Sequence, residues 1–337
     1  MTSENVAPPL SKDNIPRQDL VSLVRKWADV NTDGLLDASC KTFSTVGVEG
    51  LIGYRIEAGN AVVFGDPVCA AEDKGKLATE FQNYCQSQKM GVVYAVVSEE
   101  FAGWAAQNLA SVSIEFGEKF ILDPLSNPMD KKGSKAGLVR KKVKHALAEG
   151  AVIQEYTGDD PKLESEIEAV ANAWLDSRHG PQVYLAHVSL FQDRYGKRWF
   201  YAMMGDHLVG ILLLNQLQVK EGWLLNNVMI TKDAPNGISE LLVISALQTL
   251  EKEGCRFVTI GPVPAKQLGQ IVGLGNLSTK ATRFAYKCAQ KIFHLNGHEI
   301  FWEKFQPEIQ SSFLLFPQQN LSFSSIRALL RAFNVGI

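Results

Sequence analysis

Three segments of the 337-residue chain carry side chains able to do chemistry. The first is NNVMITKDAPNGISE, residues 226–240. A β-rich run delivers Asn226 and Asn227, and the turn Asp233-Ala-Pro-Asn-Gly237 leads into a helix with Glu240 in its first turn. Helix N-termini present free N–H groups and attract anions. Asn236 and Gly237 therefore stand where an anionic oxygen would be held, although an ordinary capped helix carries the same residues. The second segment, KKGSKAGLVRKKVK at 131–144, holds seven basic residues and no acid. It is either a local footprint for phosphate or a solvated helix face. No aromatic RNA-binding signature accompanies it, so an RNA contact there would run through the phosphate backbone. The third, FWEKFQPE at 301–308, sets Lys304 among aromatic residues. Such a lysine either snorkels out to water or projects into a polar cavity.

Other chemistries find no support. His145, His179, His187, His207, His294 and His298 form no HExxH or HxH pattern, and the five cysteines form no CxxC pair, so no metal site is expected. No GxSxG elbow and no P-loop occurs. GQIVGLG at 269–275 lacks the preceding strand and the ribose-binding acid of a dinucleotide fingerprint. No cofactor is expected.

The elements that must position these residues follow from hydrophobic periodicity. Residues 1–17 read as a loose polar tail and Asp19–Ala28 as a short helix. Strand-like runs follow at Thr42–Val48, Leu51–Ile56 and Ala61–Phe64, ending in the turn Gly65-Asp66-Pro67. Lys74–Lys89 reads as a helix, Gly91–Val97 as a buried strand and Glu99–Gln107 as a helix. Strands are expected at Val112–Phe116 and Lys119–Leu122, and a helix at Lys135–Glu149. A second half opens at Gly158, with Asp160 as cap and Pro161 at the first helical position. It continues with strands Arg198–Met204, His207–Leu217 and Trp223–Ile230, a helix Ile238–Lys252, a strand Phe257–Ile260 and a helix Thr282–Phe293. Strand-like Ser312–Phe316 and helical Ser324–Phe333 close the chain. Each half thus orders antiparallel strands, a helix, a strand and a helix, which makes the fold class α+β. The domains expected are 18–157 and 158–337 after the tail.

Composition limits the partners. Lys and Arg number 34 against 36 Asp and Glu, a net charge of −2 and a pI near 6.3, which excludes a broadly basic nucleic-acid binder. Removing the seven basic residues of 131–144 leaves 27 against 36, an acidic body with one basic helix. The N-terminus has no apolar signal core. The longest apolar stretch, Leu208–Val219, is shorter than the ~20 residues of a membrane span. Scattered, odd-numbered cysteines fit reduced thiols. A cytoplasmic chain without a transmembrane segment is expected, with contact at a bilayer surface left open.

Six motifs carry a resemblance: VVFGDPVC (62–69), FILDPLSNP (120–128), KHALAEG (144–150), DAPNGISELL (233–242), VTIGPVP (258–264) and WEKFQPE (302–308). Together they resemble, nearly end to end and in the same order, the phosphatidylglycerol lysyltransferase C-terminal family of aminoacyl-tRNA-dependent lipid aminoacyltransferases. The GDP-x-C turn, the APxGxSE junction and the KF-x-P segment look closer still to freestanding members similar to sterol aminoacyltransferases. The resemblance implies tandem GNAT-like domains with mixed, mainly antiparallel sheets flanked by helices. It implies transfer of an aminoacyl group from aminoacyl-tRNA to a hydroxyl of a membrane lipid of phosphatidylglycerol or sterol type. The Gly-rich pyrophosphate loop of acetyl-CoA-dependent GNAT enzymes is missing at 226–240, in keeping with a tRNA ester as donor. Family members of the bacterial type carry Asp-Leu-Met-Arg before the turn, where this chain has Asn226 and Met229. That change argues for a neutral aminoacyl group rather than lysyl.

On this reading Lys304, Asn226 and Asn227 form the catalytic set. Lys304 would stabilise the oxyanion or hold the tRNA terminal phosphate, and the two asparagines would bind the aminoacyl amine and carbonyl. Glu240, Asp66, Arg198, Asn236 and Gly237 are expected to bind substrate, and Arg140, Lys141 and Lys144 to bind tRNA. Glu240 could equally serve the helix dipole, and Asp66 the turn alone. The competing readings are a CoA-dependent N-acyltransferase, a non-catalytic module for tRNA or anionic membrane, and a peptidoglycan-type aminoacyl transferase.

Overall fold

The run GVVYAVVS, Gly91–Ser98, is buried at every position from Val92 to Val97, as a strand covered on both faces must be. It pairs in parallel with Asn60–Phe64, which in turn pairs antiparallel with Gly50–Glu57. The same motif, one parallel pair beside an antiparallel meander, recurs later in the chain. The computed structural model describes residues 15–30, 32–177, 190–293, 297–317 and 321–333. Most of the expected tail, and His179, His187 and His294, lie outside the described residues.

In chain order the elements are α1 (Arg17–Trp27), α2 (Asp33–Leu36), β1 (Lys41–Phe43), β2 (Gly50–Glu57), β3 (Asn60–Phe64), β4 (Val68–Cys69), α3 (Lys74–Ser87), β5 (Gly91–Ser98), α4 (Glu99–Asn108), β6 (Val112–Leu122), α5 (Ser134–Ala148) and β7 (Ala151–Tyr156). There follow α6 (Pro161–Asp176), β8 (Lys197–Met204), β9 (His207–Leu217), β10 (Gly222–Ile230), α7 (Ile238–Lys252), β11 (Val258–Pro264), β12 (Ile271–Val272), α8 (Asn276–Phe293), α9 (Gly297–Glu303), β13 (Glu308–Phe316) and α10 (Phe323–Ala332).

They form two units. The first comprises residues 1–115, 270–275 and 313–337. Its strands β1, β2, β3 and β5 lie in that order, with β13 next to β5. Phe81 of α3 and Phe101 of α4 pack with Tyr54 and Tyr94 in its core. The second comprises 116–269 and 276–312, with strand order β6-β11-β10-β9-β8-β7. All its ladders are antiparallel except β10–β11. Helices α5 and α7 share the core on one face of this sheet, through Val139, Val143, Leu242 and Leu247. Ile167 and Val170 of α6 pack with Trp199, Ile211 and Met229 in a separate core. The fold is α+β, with mainly antiparallel sheet flanked by helices.

The expected boundary at 157/158 is corrected. Residues 116–157 belong with the second unit, because α5 shares its core with α7 and β7 pairs with β8 along six residues. The C-terminus returns to the first unit, where Leu315 joins the core and Ser325, Ala328 and Ala332 of α10 are buried. Periodicity reports which face of an element is apolar and not what covers it, so a linear cut was the natural expectation.

Two further differences have local causes. The strands expected on either side of Gly117 are one, β6. Gly117 is there for a close approach, since a Cβ at this position would stand 2.8 Å from the Val263 carbonyl oxygen. Helix α8 starts at Asn276, six residues before the expected Thr282, because no residue over 276–290 is buried and its first turns gave no core-facing stripe to read.

Candidate active site

All three chemistry-bearing segments meet at the N-terminus of α7. The first arrives along β10, whose register against β9 shifts between Leu225 and Asn227, leaving Asn226 as the extra residue of a bulge. The parallel pairing of β10 with β11 covers Trp223 and Leu224. Alternation then fixes the faces. Val228 and Ile230 pack against the α5/α7 core, while Met229 is fully buried in the α6 core. Asn227 shares the face of Met229, since alternate residues of a strand point the same way. Among the described residues neither Asn226 nor Asn227 makes a side-chain hydrogen bond.

After the turn, Gly237 takes φ +107° and opens α7 with no side-chain cap. Its glycine identity has a steric cause. A Cβ there would lie 2.1 Å from the carbonyl oxygen of Lys142, so α5 packs backbone to backbone against the start of α7. Gly237 therefore serves this contact and is not free to wrap a ligand. Lys142 itself donates to the Asn236 side-chain oxygen. In this way the basic segment reaches the junction.

The third segment supplies the lysine. Lys304 Nζ donates to Glu240 Oε1 at 2.5 Å, and both side chains are nearly buried, 11% and 8% exposed. The ammonium also lies 3.7 Å from the Phe301 ring centroid and 5.5 Å from that of Phe305, a cation–π clamp. Trp302 and Phe305 belong to the α5/α7 core, which fixes the segment and directs Lys304 inward. Burial pushes the Lys304 pKa below the ordinary lysine range; Glu240 opposes the shift, and the charge of Lys142 adds to it. The segment is tied further to the start of the basic region. Lys131 donates to the Gln306 carbonyl at 2.9 Å. Glu303 accepts from Lys266 at 2.6 Å and from Lys135 at 3.2 Å, which together hold its carboxyl down to about 2.

The site residues expected from sequence thus divide. Lys304, Glu240 and Asn236 gather at the α7 N-terminus, with Asn226 on the strand leading to it. Asn227 lies on the α6 face of β10, away from the α7 face that bears the pair, so the expected asparagine pair does not converge on one point. Arg198, expected to bind substrate, is instead committed to two carboxylates. It reaches Glu155 at 2.6 and 2.9 Å and Glu253 at 2.7 and 2.8 Å, stacked over Trp223 and Phe200. Asp66, in the first unit, is likewise engaged: it accepts from Ser98 N at 2.9 Å, Ser98 Oγ at 2.7 Å and Lys74 at 2.8 Å. Those contacts lock the turn to the start of α4. Arg140 donates to the carbonyls of Met129 at 2.6 Å and Lys131 at 2.9 Å, pinning the loop before α5. Lys141 and Lys144 are exposed on that helix. Lys142 and Phe301 were missed as site residues. Lys142 lay inside the basic run, and Phe301 sat one helical turn before Lys304, so i,i+3 spacing was the available signal. Among the described residues no cluster of His, Cys, Asp or Glu could hold a metal ion.

The family model for the C-terminal part of phosphatidylglycerol lysyltransferase matches residues 35–316. The chain belongs to the phosphatidylglycerol lysyltransferase C-terminal family. Solved structures are similar to it at low identity. L-PGS from Bacillus licheniformis superposes with a TM-score of 0.75 at 16% identity, over 94% of this chain and 96% of that one. The C-terminal domain of a protein named as a lysylphosphatidylglycerol synthetase, from Agrobacterium fabrum, gives 0.73 at 17% identity, over 93% and 96%. FemX gives 0.52 at 8% identity, over 92% and 97%. At these identities the likeness is one of fold. No curated protein sequence matches the chain. The family makes the chain an acyltransferase of lipid-modifying type. Among the described residues no helix is long and apolar enough to cross a membrane.

Proposed function

We propose that this protein transfers an aminoacyl group from aminoacyl-tRNA to a hydroxyl of a membrane lipid, of phosphatidylglycerol or sterol type. The observation that carries the reading is the buried Lys304–Glu240 pair at an uncapped helix start, in a chain of the lipid-modifying family. The lipid hydroxyl attacks the ester carbonyl carbon. A new acyl–oxygen bond forms to the lipid, the bond to the terminal ribose oxygen breaks, and the proton of the lipid hydroxyl ends on that ribose oxygen. The ester is already activated, so positioning supplies much of the rate. Lys304 and the free N–H groups at the start of α7 stabilise the oxyanion. Glu240 holds Lys304 through Oε1 and offers Oε2 to the α-ammonium of the aminoacyl group. Asn226 hydrogen-bonds that group from the strand.

With Asn226 and Met229 in place of an acid and a base, β10 offers no carboxylate to a cationic side chain, which favours a neutral aminoacyl group. Lys141 and Lys144 take tRNA phosphates. A CoA donor is disfavoured because Gly237, the lone glycine of the junction, is spent on the contact with α5.

The test is incubation with charged total tRNA and membrane lipids, followed by mass spectrometry of the lipid fraction. Acyl-lipid is expected with the wild-type protein and none with Lys304→Ala. Wild-type protein that yields no acyl-lipid with either acceptor class, or a Lys304→Ala variant of full activity, overturns the reading.

A further inference from the structure

Helix α8 is mounted the wrong way round for a helix of a water-soluble surface. Such a helix turns an apolar stripe inward and a polar face outward. Over the 15 residues 276–290 of α8 no side chain is buried. Its attachment to the body is polar instead. Tyr286 Oη donates to the Ala265 carbonyl at 2.7 Å, Gln290 donates to the same oxygen at 2.7 Å, and Arg283 donates to the carbonyls of Leu268 and Gly269. The outward stripe is apolar. Leu277, Ala281 and Phe284, with half-buried Cys288 after them, recur at i, i+4, i+7 and i+11, one face of a helix. Leu277 is 83% exposed and Phe284 70%. Lys280 and Lys287 line one edge of this stripe, and residues 276–293 contain no acid.

An exposed apolar stripe bordered by lysines on an acid-free helix is the pattern of a segment that lies in the plane of a bilayer. Its apolar side chains enter the acyl boundary, and its lysines meet lipid phosphates. We propose that α8 is the surface by which this protein docks on a bilayer containing anionic lipid. The charge argues for this occupant over a second copy of the chain, whose α8 would bring the same positive sign and repel it. The stripe argues for it over RNA, which offers exposed leucine and phenylalanine at helical spacing no acyl layer to enter. The purpose of docking rests on the lipid-acceptor reading, but its structural grounds do not. The next helix, α9, ends one residue before Lys304, so the docking element stands close in sequence to the buried lysine.

The test is cosedimentation of the full chain with vesicles of phosphatidylcholine alone and of phosphatidylcholine with phosphatidylglycerol. The wild-type protein is expected to sediment with the anionic vesicles. Leu277→Ser with Phe284→Ser should lose that binding at least about tenfold, since two apolar side chains no longer enter the lipid. Lys280→Glu with Lys287→Glu should lose the preference for anionic lipid. Both sites are exposed, so far-UV circular dichroism and Tm should stay at wild-type values. Wild-type protein that ignores both vesicle types, or serine variants that bind like wild type, overturns the proposal. So does a dimer in sedimentation velocity that the serine pair abolishes while vesicle binding persists. So does loss of tRNA binding in the glutamate pair with vesicle binding intact. Transfer to an acceptor dispersed in detergent micelles separates the two readings. The serine pair should keep it. Wild-type vesicle binding without any transfer supports the docking surface and sinks the aminoacyl-transfer reading alone.

Discussion

Replacing Lys304 by methionine removes a charge and keeps an unbranched side chain of similar length over the Phe301 ring. Glu240 then keeps a carboxylate that is only 8% exposed and loses the cation it is paired with. Breaking one side of a buried pair costs about 3–5 kcal/mol, because the remaining charge stays desolvated. For a cooperative unit of this size each kcal/mol moves Tm by about 2–4 °C, so Lys304→Met should melt about 6–20 °C lower. Adding Glu240→Leu removes the orphaned charge, and a buried pair replaced by apolar side chains is close to neutral in stability. The double variant should return to within about 1 kcal/mol of the wild type. Aminoacyl transfer should be absent from both variants. The assays are urea denaturation followed by tryptophan fluorescence, with Trp302 beside the site, and mass spectrometry of the lipid product. A single variant as stable as wild type would refute the claim that the pair is buried and mutually dependent. A double variant that regains both stability and transfer would refute its chemical role.

Gly237→Ala should be destabilised well beyond Gly254→Ala. Both positions have positive φ, costing an L-residue about 1–2 kcal/mol, but only at 237 does the new Cβ meet a carbonyl, adding about 1–3 kcal/mol of overpacking; chemical denaturation of the two variants gives the difference. Lys141→Glu with Lys144→Glu should weaken tRNA binding and lower the slope of log K against log salt by about 2, whereas Arg140→Ala should act on thermal stability by releasing the Met129 and Lys131 carbonyls. Glu303 should titrate near 2 by carboxyl NMR and move toward the ordinary range in Lys266→Ala. Because its folded pKa is depressed, its stabilising contribution is present above the unfolded value and fades as pH falls toward about 2. The alkaline limb of the transfer rate should fall below the ordinary lysine range, since Lys304 loses its proton early.

Much of this was legible in the chain. The limits of α7 are those read from its sequence, Ile238–Lys252, because a dense apolar run and closing Lys252 and Gly254 mark them. The expected strands Arg198–Met204 and His207–Leu217 are also found, as β8 and β9, paired across the two-residue turn Gly205-Asp206. Lys304 and Glu240 stood out singly, as a lysine among aromatics and an acid in a first helical turn. Their meeting did not, since 64 residues separate them and only the fold brings them to 2.5 Å. Arg198 misled for the opposite reason: its partners Glu155 and Glu253 lie 43 and 55 residues away, so nothing local marked it as neutralised. The asparagines of β10 were read as a pair because they are adjacent, whereas Asn226 is the extra residue of a bulge and only Asn227 falls into the alternation shared with Met229. The unpacked stripe of α8 escaped because a helix search looks for inward apolar residues.

The route of the chain also bears on how it is made. The first unit is left incomplete at Glu115 and regains its closing strand and helix only from Phe313 onward. At ribosomal speeds of 5–20 residues per second, the intervening stretch takes roughly 10–40 s to appear. During that interval β5 has its parallel neighbour β3 but lacks β13 on its other side. An apolar strand with an open edge invites pairing with other chains. The nascent protein therefore passes through a window in which its N-terminal part is sticky, and shielding by a chaperone or by the ribosome surface would matter most there. A shortened gene ending before β13 should yield insoluble product even though most of the second unit is encoded, and a permuted gene that begins at β13 should narrow the window.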